Sequence, residues 1–305
     1  MSFARLSKKR RNKKTMIYKI NNGNIYLSVD TMGAEMRSLC DVHGLEYLWQ
    51  GQKGVWEGQA PILFPIVGAQ KDGQYFYNGK TYEIGNHGFA AAQNFKLLQK
   101  YSDKLVLSLS ENEETLRQYP FKFQFTIGYE LSGDTLTVRF RVQNHDDKDL
   151  PFAVGGHPGF RVPLEDDEEF SDYALKFPFR ENCNSPRLKR NEVTEPQDSL
   201  PVLQNSDTLP LSHGLFSNGV LILRHLVSRS VSLYSKNSGR GVRVDFEGFD
   251  NLGLWQMNNG NFLCIEPWSS PGTHSAASGL LTERAGITLL PPEETAEYSF
   301  SVTII

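Results

Sequence analysis

The sequence predicts an all-β fold, a large antiparallel β-sandwich, and three observations predict it. Apolar residues alternate with period two through most of the chain, the pattern of strands with one buried face. Aromatic residues make up 11% of the 305 residues, beside 26 glycines and 15 prolines, a composition that favours strands joined by many turns. There is no strand–helix–strand rhythm and no internal repeat, which argues against a parallel sheet.

Taken in order, the chain opens on a basic block. Residues 1–15 carry seven positive charges and no acid. A like-charge block of this kind is expected to be a disordered tail that buries nothing. Folded structure is expected from Ile17, within one domain covering 16–305. Residues 24–30 and 34–39 read as strands. Leu105, Leu107 and Leu109 alternate, and Phe121, Phe123, Phe125, Ile127 and Tyr129 line one face of a longer strand. Leu136, Val138, Phe140 and Val142 repeat the pattern after Leu131-Ser-Gly-Asp134, whose turn residues predict a hairpin. Residues 231–234, 242–246, 252–257 and 262–265 continue the series, and Tyr298, Phe300, Val302 and Ile304 close it. Helical signal is confined to Glu113–Gln118, stopped ahead of Pro120. Residues 180–212 break the pattern: they are polar, hold four prolines and keep no period. They are expected to form a long loop over one edge of the sandwich.

Charge and cysteine content exclude several function classes. Taking the seven tail charges from the formal −3 leaves −10 on the remainder. A body this acidic repels nucleic acid and anionic membranes, so neither is an expected partner. The three cysteines, Cys40, Cys183 and Cys264, form no CxxC pair, which predicts free thiols and a cytoplasmic protein. No apolar run approaches the roughly 18 residues of a membrane span. The basic N-terminus lacks the apolar core of a secretory signal. The spacing of the seven histidines offers no metal site, and there is no phosphate-binding glycine loop and no nucleophile elbow.

Three stretches remain. Pro151-Phe-Ala-Val-Gly-Gly-His157-Pro-Gly-Phe160 sets a histidine in a rigid glycine–proline frame. Asn86-His87-Gly88-Phe89 places a second histidine in a turn. Phe262-Leu-Cys-Ile-Glu266-Pro-Trp268 ends an apolar strand on a carboxylate, whose proximity to Trp268 and Cys264 would desolvate it and suit it to act as a base.

Together with Leu45-Glu-Tyr-Leu-Trp49, Gln59-Ala-Pro-Ile-Leu-Phe-Pro-Ile-Val-Gly68 and Leu254-Trp255, these stretches resemble the aldose 1-epimerase (galactose mutarotase-like) superfamily, and most closely its LacX-type branch. The likeness runs from about Ile17 to the C-terminus. It implies the β-supersandwich of that superfamily, no cofactor, a small-molecule sugar as partner, and interconversion of sugar anomers. His157 then matches the general acid, Glu266 the general base, and His87 the histidine that holds and polarises the sugar. Phe89, Phe160 and Trp255 are candidates for an apolar wall against the sugar's CH face.

Relatives often carry arginine where Ala69-Gln70 and Ala91 stand here, and aspartate where Gly219 stands. Those absences favour a free hexose over a hexose 6-phosphate. A non-catalytic sugar-binding or sensing protein is the alternative from another class. The sequence does not speak to oligomeric state. His157 and Glu266 are expected to face each other across a pocket wide enough for a pyranose ring, without touching, with His87 on the wall nearby.

Overall fold

The structure, a computed structural model, describes residues 15–189, 192–193, 198–257 and 259–305. The basic block at 1–14 lies outside the described residues. The first strand is Ile17–Asn21, where the sequence places the start of folded structure.

Two sheets organise the domain. The larger has nine strands, and every pairing in it is antiparallel. At its centre Phe123–Ser132 pairs with Thr135–Asn144, which pairs in turn with Thr295–Ile304. Gly133 sits in the hairpin turn between the first two, at φ 54. Alternation is obeyed: Phe123, Phe125, Ile127 and Tyr129 are buried on one face, and Leu136, Val138, Phe140 and Val142 extend that face across the hairpin. The smaller sheet has six strands. Phe262–Trp268 runs through it, flanked by Asn251–Trp255 on one side and by Gly155–Gly156 and Gly159–Arg161 on the other.

The inner faces meet through aromatic rings. Phe64, just after the strand Ile62–Leu63 of the smaller sheet, stacks on Phe125 of the larger at 4.4 Å between centroids. Gly156 approaches Phe300 so closely that a Cβ on it would stand 2.7 Å from the ring. A Cβ on Gly155 would stand 2.8 Å from the Pro267 carbonyl. The glycine pair before His157 is therefore required twice, by the facing sheet at Gly156 and by the neighbouring strand at Gly155, and it brings His157 down onto the strand Phe262–Trp268.

The one α-helix of the described residues is Glu113–Gln118, as the sequence predicts. Asn112 caps it, its side chain accepting from the amides of Glu114 and Thr115 while Thr115 answers the Asn112 amide. No helix among the described residues is long and apolar enough to cross a membrane.

The segment 180–212 corrects the expectation of a loop. Much of it lies in two long paired strands, Tyr173–Pro186 and Ser199–Pro210, at the end of the nine-stranded sheet. Register shifts between Lys176/Glu181, Glu181/Asn182 and Cys183/Asn184 break the period-two signal. Pro201 and Pro210 lie on the edge strand, where a missing N–H costs no ladder bond.

Candidate active site

Glu266 lies inside the strand Phe262–Trp268, all seven residues of which are buried. Cys264, Glu266 and Trp268 share one face of it by alternation. Gly155 pairs with Trp268 and Gly159 with Cys264, so His157 stands beside the strand between those two register points. Its Nε2 is 3.2 Å from Glu266 Oε2, with side-chain exposures of 5% and 1%. The expectation of a ring-wide gap is thereby corrected. The two groups are neighbours across adjacent strands, and strand spacing of about 4.8 Å leaves no room for a pyranose between them.

His87 stands next to the pair, its ring centroid 5.7 Å from that of His157. It adopts φ 63, a left-handed conformation uncommon for residues other than glycine. Gly68 holds it there: the His87 amide donates to the Gly68 carbonyl at 2.8 Å, and the Gly68 amide donates to His87 Nδ1 at 3.0 Å. Because Nδ1 accepts, the ring proton resides on Nε2, and His87 is a neutral hydrogen-bond donor. Gly88 completes the turn at φ 76, where a Cβ would collide with the Phe64 carbonyl.

Aromatic rings close the site. Trp56 lies 5.2 Å from His157, Trp255 is edge-on to His157 at 5.5 Å and to Trp56 at 5.3 Å, and Phe262 stacks on Trp56 at 5.1 Å. Trp255 thus packs against both His157 and Trp56. Phe89 and Phe160 are corrected to core positions. Gly159 turns its Cα towards Trp56 and Cys264, so the next residue, Phe160, faces away. The Phe89 amide donates to the Phe64 carbonyl, and its ring packs among Phe64, Tyr119 and Phe123.

Burial dominates the electrostatics. It pushes Glu266 well above the ordinary carboxylate range, while the Trp268 indole N–H, near the carboxyl but outside hydrogen-bond geometry, pulls the other way. It holds His157 well below the imidazole range, assisted by the nearby His87. His87 is pulled down to about 3 by burial and by the charge of Arg284. In this closed arrangement the pair shares one proton, favoured on the carboxyl.

The site is also rich in polar atoms with nothing to bond. Both Glu266 oxygens, His157 Nδ1, Trp56 Nε1, Trp268 Nε1, Gln70 Nε2, and Arg284 Nε and Nη1 are buried without a hydrogen-bond partner. Glu266 and His157 touch without hydrogen-bond geometry. Buried polar groups in folded proteins are nearly always satisfied, so a group of them around one acid–base pair has the character of a site for a ligand with many hydroxyls. His157, Glu266 and Cys264 donor atoms lie within 4.8 Å of one another. A soft divalent cation would find three ligands there, but the thiol, pushed well up by burial, would have to lose its proton.

Sequence reasoning missed Trp56, Gln70 and Arg284. The first two lie in loops without periodic signal. Trp268 had a readable signal, two residues beyond Glu266 on the same strand face.

The aldose 1-epimerase family model matches residues 16–283. The chain belongs to the aldose 1-epimerase family. It is 36% identical to protein LacX of Lactococcus lactis subsp. lactis over 292 residues, covering 92% of this chain and 98% of that one. A galactose mutarotase related enzyme from Lactobacillus acidophilus superposes with a TM-score of 0.91 at 32% identity, covering 95% of this chain and 97% of that one. A galactose mutarotase-like protein from Lactobacillus casei gives 0.87 at 28%, covering 95% and 100%. These findings support the LacX branch, the mutarotase-like sandwich, and a general aldose epimerase or mutarotase function of isomerase type.

Proposed function

We propose that the protein is a mutarotase that interconverts the α and β anomers of a hexose by general acid–base ring opening and closure, in the cytoplasm. The single observation that carries the reading is the buried His157–Glu266 contact at 3.2 Å, set among unpartnered donors.

Mutarotation needs a proton removed from the C1 hydroxyl and one delivered to the ring oxygen. Both oxygens are bonded to C1. An acid and a base in contact therefore serve both from one side of the sugar, with no need to straddle it. Glu266 takes the hydroxyl proton and His157 protonates the ring oxygen as the C1–O5 bond breaks. The aldehyde turns about C1–C2, and the ring recloses with the roles reversed. The working pair carries its proton on His157, and sugar hydroxyls supply the polar contacts that burial denies this ion pair. His87 Nε2–H holds a sugar oxygen, and Trp255 and Trp56 offer faces to the CH groups. Entry requires the loop carrying Trp56 to move, and Gly51 and Gly54 at φ 71 and 86 give it pivots.

Polarimetry of freshly dissolved α-glucose and α-galactose tests the reading. Acceleration by the protein that vanishes in Glu266→Gln supports it. Sugar binding without acceleration makes the protein a binder. Ala69, Gln70 and Ala91 offer a phosphate no fixed charge, which favours the free hexose; Arg284 offers one, which favours a hexose carrying an anion.

A further inference from the structure

Arg284 follows the short turn Leu281–Glu283. Its segment is tied to the end of the Glu266 strand by Ser270 Oγ, which donates to the Ala285 carbonyl at 2.8 Å. The side chain is buried, and its Nη2 donates to the Val67 carbonyl. That places the guanidinium beside Gly68, the residue whose amide holds His87; a Cβ on Gly68 would stand 3.7 Å from Arg284 Nη2. The charge of Arg284 acts on His87, whereas the shifts of His157 and Glu266 have other causes. His87 thus stands next to His157, at 5.7 Å between ring centroids, and is also held by Gly68, beside which Arg284 lies.

Two of its donors, Nε and Nη1, have no partner. Among the described residues no carboxylate pairs with it, and burial alone pulls it down to about 9, so it keeps its charge at neutral pH. Two residues after Gly68 in the chain, Gln70 is buried as well, its Oε1 accepting from Thr273 Oγ1 at 3.1 Å and its Nε2 without a partner. A buried, uncompensated guanidinium is costly. A sugar hydroxyl would meet its donors but leave its charge; an oxyanion meets both.

We infer that Arg284 and Gln70 form an oxyanion subsite, and that the aldose taken by this protein carries a carboxylate or phosphate remote from its anomeric carbon. The inference rests on the mutarotase reading and names its substrate class. Arg284 supplies, from a later loop, charge that Ala69 and Ala91 do not.

The test follows anomer exchange by NMR for glucose, glucuronate and glucose 6-phosphate, with full-length wild type, Arg284→Gln, Arg284→Lys and Glu266→Gln. At least one anionic sugar is expected to exceed glucose in kcat/KM by about 10-fold or more. Arg284→Gln should lower that value by about 10- to 100-fold, chiefly through KM, and Arg284→Lys should restore part of it. The loss for glucose, which shares the His87 contact that Arg284 influences, should be several-fold smaller than the loss for that anionic sugar. The two anionic sugars separate carboxylate from phosphate as the group recognised. Preference for glucose over both anions, or equal losses for all three sugars in Arg284→Gln, overturns the inference. If Arg284→Gln fails to fold, the wild-type preference decides. Glu266-dependent exchange of glucose alone leaves the mutarotase standing and removes the subsite. Absence of exchange, with Arg284-dependent thermal stabilisation by the anionic sugars, keeps the subsite and removes the mutarotase.

Discussion

Two buried polar clusters in this molecule contain the same residue types and behave in opposite ways. In the first, Glu35 has a fully buried side chain and accepts from the amides of Gln59 and Ala60 at 2.9 and 3.2 Å. Arg37 bridges Glu35 and Asp30, at 3.2 Å each, and also donates to Gln59 Oε1 at 3.1 Å. In the second, Glu266 is as deeply buried but accepts no hydrogen bond, and Arg284 meets a single backbone carbonyl. The first cluster is complete without a ligand and holds the chain leading into the Ile62–Leu63 strand. The second is incomplete, with donors and acceptors left unmet. Burial of charge is common to both; satisfaction separates a structural cluster from a candidate site.

The comparison breaks most sharply on the glutamates. Glu266→Gln should lower kcat by about 10²–10⁴-fold while leaving the melting temperature little changed, since the amide keeps the shape of the protonated carboxyl. His157→Asn should lose a similar factor. Retained turnover in either, measured by polarimetry against a buffer blank, would dismiss the acid–base pair. Glu35→Ala should do the reverse. It leaves two buried amides unmet and Arg37 with Asp30 as its remaining carboxylate, costing about 2–5 kcal/mol in denaturant unfolding, with far less effect on kcat of the folded fraction. Equal stability losses at both glutamates would erase the distinction.

A smaller effect concerns pH. His87 is held down to about 3 and His157 well below the usual range, while unfolded histidines titrate near 6.5. Between those values the unfolded chain binds protons that the folded one refuses, so their contribution is present above about pH 6.5 and is lost as pH falls. His87→Asn should flatten the slope of stability against pH below 6 by up to about 1.4 kcal/mol per unit, and should weaken sugar binding and turnover. An unchanged slope would mean that His87 is protonated in the folded state.

The least effect is expected from removing the tail. A chain starting at Met16 should keep the melting temperature and activity of the full chain, because residues 1–15 hold no apolar period to bury. A large loss in either would make the tail part of the fold.

Much of this was legible in residue order. Period-two alternation is a local property, so the strands at 123–132 and 135–144 and the hairpin between them could be read directly. The same holds for Glu113–Gln118, whose cap lies within four residues of chain. Three short motifs singled out His87, His157 and Glu266, and Trp255 came with them. Other features depended on contacts between distant segments. Bulges between Lys176 and Asn184 removed the alternation on which strand reading relies, so paired edge strands looked like a loop. Phe89 and Phe160 had the right residue type, but strand facing and a turn sent their rings to the core. The 3.2 Å contact between His157 and Glu266 follows from register across two strands and from glycines that let two sheets meet. Arg284 stands in a loop with no motif around it. Its place beside Gly68 is set by the Ser270–Ala285 tether, a contact that emerges only when the two segments meet in space.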